Sequence, residues 1–344
     1  MLRVTKVQPA ALDTPDDLPR RPPDWLPLAL VPLVMAAALP LVGSPSTWLT
    51  LTVAGLAMGV IIFTVSSGLM LVFGLMDVMN FGHGAFIALG AYVGLSVLAP
   101  LAPWTESAAF GPNLAALALA IVAATAAAGL VGAAFDRLLI RPVHGSHLKQ
   151  ILMTMGGLIV VEQLIKAVWG AEAMSVSVPA SLRGALVLGD AAIETYRVFA
   201  LALGAAVFLG LLLVLNRTRI GLLIRAGVEN REMVEALGYR TRHLFVGVFV
   251  AGAMLAGLGG VMWGLYLQTF TAAIGTQVNV LIFIVVIIGG LGSTTGCMIG
   301  ALLVGLTANY VGFVAPKLAL FSNIILMLLI LVWRPQGLYA VANR

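Results

Sequence analysis

The chain has 344 residues, 61% of them hydrophobic and 10% charged, and its mean hydropathy is +1.06. A soluble domain carries about 25% charge and about 45–50% apolar residues. A soluble enzyme and a disordered chain are therefore excluded, and the formal net charge of +5 reads as Lys- and Arg-rich cytoplasmic loops of a polytopic membrane protein, with no aromatic-and-basic cluster of a nucleic-acid platform.

The apolar runs are long and continuous, which predicts an all-α transmembrane helix bundle and not a barrel. Residues 1–24 form a polar, Pro-rich cytoplasmic tail of mixed charge, expected to be disordered. It is too long and too acidic for the start of a signal peptide. Residues 25–43 are apolar but carry Pro27, Pro32 and Pro40, and read as an additional N-terminal span, an uncleaved anchor. Further runs follow at 47–73, 80–99, 112–135, 149–169, 197–215, 244–268, 278–295, 296–314 and 319–333. About 20 residues cross a bilayer, so the stretch 278–314 needs the division that its Gly-rich break at 289–296 provides. The expectation is about ten spans, with Gly-rich breaks in two of them.

Charge orients this count. With ten spans and both termini cytoplasmic, the inner segments hold Arg3, Lys6, Arg20, Arg21, Arg137, Arg141, Lys149, Arg217, Arg219, Arg225, Arg231, Arg240, Arg242, Arg334 and Arg344, which is 15 of the 19 basic residues. Lys166, Arg183, Arg197 and Lys317 remain outside.

Among 38 glycines, small-xxx-small pairs recur at Gly55/Gly59, Gly90/Gly94, Gly260/Gly264 and Gly296/Gly300. They predict close helix packing and say nothing of function. Two polar or Gly-rich interruptions stand apart, one in each half: Gly74 to Gly84, with Asp77, Asn80 and His83, and Gly289 to Gly296, with Gly290, Gly292 and Ser293. Backbone that leaves helical geometry inside a membrane needs protein or a water-filled cavity to satisfy it, and such breaks in corresponding halves point to a transport pathway. Asp77, Asn80, His83, Gly289, Gly290, Gly292 and Ser293 are accordingly the candidate pathway residues. Capping or fixing a turn is an equal alternative for the polar three. A repeat of five plus five spans would be inverted, although the halves show no evident sequence match. Glu162 and Lys166, four apart, are expected to pair and so reduce the cost of both.

The loop 216–243 is the longest predicted cytoplasmic segment. Within it, Glu229 to Leu237 reads as a short helix, with acids Glu229 and Glu232 at its start, an apolar side of Met233, Val234, Ala236 and Leu237, and Gly238 as its stop. Its acids disfavour anionic lipid as the surface it meets, so a docking element is expected. No P-loop occurs, so any ATPase is a separate chain. No catalytic triad or zinc motif appears, and His144/His147 is the only close pair of histidines. No metal, catalytic residue or bound cofactor is expected, and Cys297 reads as a small packing residue.

Four blocks carry a likeness to a known family. Phe73-Gly74-Leu75-Met76-Asp77-Val78-Met79-Asn80-Phe81-Gly82-His83-Gly84 is similar to a "YG…NFAHG" block. Asp136-Arg137-Leu138-Leu139-Ile140-Arg141-Pro142-Val143 is similar to an "ER…RPV" loop. Arg219-Ile220-Gly221 through Glu235-Ala236-Leu237-Gly238 is similar to a long cytoplasmic loop, and Gly289 to Gly296 to a "GG(I/L)GS.PGA" segment. In these blocks the chain resembles the inner-membrane permease subunits of branched-chain amino-acid ABC transporters (the Liv type, of the hydrophobic amino-acid uptake class), from about residue 47 to the end. Thr295 stands where that family often has proline, Gly82 where alanine is common, and residues 1–46 are unlike the shorter members.

The resemblance implies a permease domain at 47–344 in a bacterial inner membrane. It implies partners: a second permease subunit, two ATPase subunits that use the ATP, and a periplasmic binding protein. It places the coupling to the ATPase in 216–243, at Arg225, Glu229, Arg231, Glu232, Glu235, Ala236, Leu237 and Gly238. The implied cargo is a branched-chain or other hydrophobic amino acid, with urea, short amides or aromatic acids as alternatives of the same architecture. The alternative of another class, an ion-coupled secondary transporter, would need buried titratable groups along the spans, and Glu162 is the one clear mid-run acid.

Overall fold

The fold was taken from a computed structural model that describes residues 25–76, 78–143 and 145–339. The tail 1–24, Asp77, His144 and both termini lie outside the described residues. The helices are α1 (Leu26–Val42), α2 (Pro45–Met76), α3 (His83–Leu98), α4 (Ala102–Thr105), α5 (Phe110–Phe135), α6 (His147–Trp169), α7 (Thr195–Arg217), α8 (Arg219–Glu229), α9 (Arg231–Ala236), α10 (Thr241–Leu267), α11 (Ile274–Gly289), α12 (Thr294–Val314) and α13 (Ala319–Trp333). Each of the ten apolar runs is thus a helix. Six are long and apolar enough to cross a membrane: α2, α5 with its extension to Val143, α6, α7, α10 and α12. The apolar helices at 26–42, 83–98, 274–289 and 321–333 are shorter.

Short strands cap the end of the bundle remote from α8 and α9. Strand β1 (Met174–Ser175) pairs antiparallel with β4 (Thr269–Phe270), and β2 (Ala185–Leu188) with β3 (Ala191–Glu194) in a hairpin turned by Gly189 and Asp190. At the same end Arg183 donates two hydrogen bonds to Glu106, at 2.5 and 2.9 Å, which hold the Glu106 carboxyl below its ordinary range. This structure between α6 and α7 had no counterpart in the sequence reading.

Burial separates the helices into an inner and an outer set. In α2, 83% of the most apolar window is buried, against 17% in α6 and 11% in α7. Helix α2 is therefore the axis of the fold, and α6 and α7 offer their surfaces to lipid or protein. All four small-xxx-small pairs sit in close helix contacts. Gly55 and Gly59 meet α12 at Leu306 and Ala301, Gly90 and Gly94 meet α10 at Gly257 and Val261, Gly260 meets Ile87, and Gly300 meets Ile288.

The centre is reciprocal. A Cβ added at Gly68 would strike the carbonyl oxygen of Gly252, and one added at Gly252 would lie 2.7 Å from that of Gly68. In the same way a Cβ at Gly84 would lie 2.5 Å from the Gly275 oxygen, and one at Gly275 would strike the Gly84 oxygen. Contact of this kind brings two helix backbones directly together with no side chain between them. Part of the remaining packing follows an exchange of α2 with α10. Helix α10 packs on α3 and α5 as α2 packs on α11 and α12, and α6 meets α3 as α13 meets α11. Val65 lies against Gly259 while Gly68 lies against Gly252, so α2 and α10 run antiparallel. These contacts relate α2, α3, α5 and α6 to α10, α11, α12 and α13 by inversion, whereas α1, which packs on α12, and α7, which packs on α2, fall outside it.

Candidate functional site

The inverted packing places two helix starts inside the bundle. The His83 ring lies against Gly68, and Gly68 is eight residues, about 12 Å, short of the end of α2 at Met76. The chain therefore turns back into the bundle over 78–82 before α3 begins. On the other side α10 ends at Leu267, yet α11 begins only at Ile274, where Gly275 meets Gly84 and Ala88 in the first turns of α3. Two half-length helices thus start near one level and run in opposite directions.

Side chains pair much of the irregular backbone of 78–82. The Met79 N–H donates to Gln150 Oε1 (3.2 Å), the Phe81 N–H to Thr154 Oγ1 (3.1 Å), and the Gly82 N–H to Asn80 Oδ1 (3.0 Å). The Phe81 carbonyl accepts from Asn279 Nδ2 of α11 (2.9 Å). This meets the requirement that non-helical backbone at membrane depth be paired with protein. Sequence reasoning passed over Gln150, Thr154 and Asn279. The available signal was polar side chains in apolar runs, with Gln150 and Thr154 four apart and so on one helical face.

Of the predicted pathway residues, Asp77 lies outside the described residues. Asn80 and His83 are both buried, at 1% and 0% exposure. His83 Nε2 lies 3.1 Å from the Val65 carbonyl oxygen of α2, which ties the start of α3 to the central helix. Asn80 Nδ2, His83 Nδ1, Asn279 Oδ1 and Ser66 Oγ are buried without a hydrogen-bond partner among the described residues. The geometry of Asn80 and His83 is that of groups shaping the re-entrant segment, turned away from any open surface.

The second predicted break is a corner. Gly289 ends α11, Gly290 and Gly292 have φ of 91° and 81°, and Ser293 caps α12 by accepting from the Gly296 N–H (3.1 Å). Gly74 packs on Gly292, while the C-terminal segment closes the corner through Leu338 N–H to Ile288 O (2.8 Å) and Tyr339 N–H to Gly289 O (3.1 Å). The two breaks are therefore not equivalent in the inverted arrangement. The counterpart of 78–82 is 268–273, before α11, which hydropathy did not single out.

The segment 216–243 is mostly helical, a correction to its reading as a loop. Thr218 caps α8 by accepting from Gly221 N–H (3.3 Å), and Asn230 caps α9 by accepting from Met233 N–H (2.9 Å). Glu229 closes α8 and does not open α9, because Asn230 is the stronger capping residue. The side chains of Glu229 and Arg231 lie outside the described part. Gly238 stops the second helix as expected. At φ 88° it donates to Glu235 O, and Tyr239 N–H donates to Val234 O, the pair of bonds that ends a helix in a Schellman turn. Val234 is buried, whereas Glu232, Met233, Ala236 and Leu237 are exposed. Thr241 donates to Glu235, tying α9 to α10. Arg225 is exposed and donates to Asn216.

Beside α8, an apolar cavity of about 680 Å3 opens between α2, α7 and α10, lined by Leu71, Leu215, Ile224 and Leu255 among others, and it holds none of the predicted pathway residues. Among the described residues no group of three or more His, Cys, Asp or Glu is gathered where it could hold a metal ion.

Comparison with known proteins agrees with this architecture. A family model described as "Branched-chain amino acid transport system / permease component" matches residues 51–333. The high-affinity branched-chain amino acid transport system permease protein BraD of Pseudomonas aeruginosa is 26% identical over 296 residues, covering 83% of this chain and 94% of BraD. LivH of Escherichia coli K12, with the same description, is 26% identical over 294 residues, covering 83% and 92%. A probable branched-chain amino acid transport permease protein LivH of Methanocaldococcus jannaschii is 27% identical over 105 residues, 30% of this chain and 33% of that protein. No solved structure gave a significant match.

Proposed function

The chain belongs to the branched-chain amino acid transport permease family, and from that premise we propose that it carries branched-chain or other hydrophobic amino acids inward across a bacterial inner membrane. It is a transporter subunit and not an enzyme, and its sequence holds no P-loop, so ATP is used by a separate chain. We assign it a second permease subunit, two ATPase subunits and a periplasmic binding protein as partners, with both termini in the cytoplasm and no cofactor of its own.

All ten apolar helices are read here as spans. A 16-residue helix is only about 24 Å long, less than the roughly 30 Å hydrocarbon core. Helices α3 and α11 each have 16 residues, and each is preceded by a non-helical segment that enters the bundle. Segment and helix together cover the thickness that neither covers alone. Half-helices that meet at mid-depth are the arrangement in which a passage can open to either side by a small tilt.

The observation that carries the reading is α9. It is a six-residue helix held by Asn230, Thr241 and buried Val234, with Glu232, Met233 and Leu237 displayed to solvent. Such a projecting, well-anchored element suits the transmission of motion from an ATPase. Asn80 and His83 then belong to the segment beside the meeting point, and Gly289, Gly290, Gly292 and Ser293 to the corner at the far end of α11.

The test is uptake by proteoliposomes holding the complete set of subunits. Leucine uptake that needs ATP, the binding protein and both ATPase chains, and that isoleucine and valine inhibit, is the expected result. Uptake of urea, a short amide or an aromatic acid in place of leucine would keep the architecture and replace the cargo. Uptake driven by an ion gradient without ATPase would overturn the reading.

A further inference from the structure

The outer face of α6 is apolar, with Met155, Ile159, Val160, Leu164 and Val168 exposed. One charged feature interrupts it. Lys166 Nζ lies 2.8 Å from Glu162 Oε1, with the two side chains 33% and 18% exposed. Thr276, in the first turn of α11, donates to Glu162 Oε2 at 3.1 Å, and Thr276 and Gln277 are themselves exposed. At about 1.5 Å per residue, Glu162 is about 22 Å from the start of α6 and about 10 Å from its end, and Lys166 about 4 Å from that end, so the carboxylate lies within the membrane's depth and the ammonium near its outer edge.

A carboxylate at that depth facing lipid would be costly. Pairing lowers the cost but does not explain why a further polar side chain, Thr276 of α11, joins the pair at an exposed wall. A water-filled passage explains the three together. The place also matters, because Thr276 belongs to the first turn of the half-helix that meets α3 at Gly84.

We propose that Glu162, Lys166 and Thr276 form a transit site for the zwitterionic head of an α-amino acid. This rests on the reading of the chain as an amino-acid permease and names the residues that would handle the cargo. The Lys166 ammonium takes the α-carboxylate, the Glu162 carboxylate takes the α-ammonium, and Thr276 orients Glu162. The apolar side chain of the cargo lies on Ile159, one turn before Glu162 on α6, and Val280, one turn after Thr276 on α11, both exposed. A zwitterion suits this site because it exchanges one internal ion pair for two external ones and adds no net charge. An aromatic acid would pair Lys166 and strand Glu162, and a neutral amide would compensate neither, which makes the pair a filter for amino acids.

The experiment uses the complete transporter in proteoliposomes and compares wild type, Lys166→Arg, and the double variant Glu162→Gln with Lys166→Met. The double variant removes both charges, so it leaves no unpaired ion to prevent folding. The expected result is a loss of about tenfold or more in leucine uptake by the double variant, the scale of one charge-assisted contact, with membrane abundance and ATPase co-purification unchanged and with Lys166→Arg active. Double-variant uptake equal to wild type would overturn the site and leave a pair that only packs. An independent readout is Thr276→Cys combined with Cys297→Ser, labelled by a maleimide. Saturating leucine with binding protein should slow labelling and urea should not, and labelling unaffected by leucine would overturn the site. Wild-type protein that carries an aromatic acid or urea but no leucine would overturn the cargo reading itself, and the transit site with it.

Discussion

The glycine-packed centre and the α8–α9 segment are built on opposite rules. At the centre, position is set by what is missing. Gly68 on Gly252 and Gly84 on Gly275 bring backbone onto backbone, and no side chain intervenes. At α8–α9, position is set by what is present: Thr218 and Asn230 as caps, Gly238 as the turn, and the Thr241–Glu235 bond as a tie. The first kind of region tolerates no addition. The second tolerates almost any exchange on its exposed side, and that side is therefore free to serve a partner.

Substitutions at the centre should break the molecule most severely. Gly84→Ala or Gly275→Ala forces a Cβ onto a carbonyl oxygen, and each should cost about 3 kcal/mol through backbone displacement, read as unfolding in an SDS titration and as lost membrane abundance. The contrast is a glycine of α10. Gly247 has nothing within 4 Å of an added Cβ, so Gly247→Ala should be neutral or gain up to about 1 kcal/mol from helix propensity. Equal losses at Gly275 and Gly247 would refute the role given to the close approach.

Next in size is His83→Ala, which removes the tie to Val65 O and opens a small void. A loss of about 2 kcal/mol is expected, with leucine uptake falling in step with abundance, whereas uptake lost at full abundance would return His83 to the pathway. Asn230→Ala should cost about 1 kcal/mol, confined to α9 and seen as faster hydrogen exchange there while the main unfolding transition stays in place. Glu232→Lys should change stability by less than about 0.5 kcal/mol and yet lose ATPase co-purification. Retained ATPase stoichiometry in that variant would remove α9 from the coupling role.

Much of this contrast was legible in the sequence, but unevenly. Every apolar run became a helix, because hydropathy reports burial in lipid or protein directly. Gly238 was legible as a stop since a turn needing positive φ leaves few alternatives. Helix α8 was not, because its arginines and polar flanks read as loop when no apolar window spans it. The reciprocal glycines were not legible either. Gly68 and Gly252 belong to helices remote in sequence, and an inverted repeat constrains shape without demanding matching residues. Glu162 and Lys166 were readable as a pair, but their exposure beside Thr276 depends on how α11 enters the bundle.

An inverted core has one more consequence. Seen from either face of the membrane, the Gly68–Gly252 and Gly84–Gly275 contacts look alike, so these contacts carry no arrow. The sense of pumping has to be written at the two rims, where the inversion fails. One rim holds α8 and α9, and the other holds the β2–β3 hairpin with the Glu106–Arg183 bridge. The vectorial character of the molecule thus resides in its least repeated and most exposed parts.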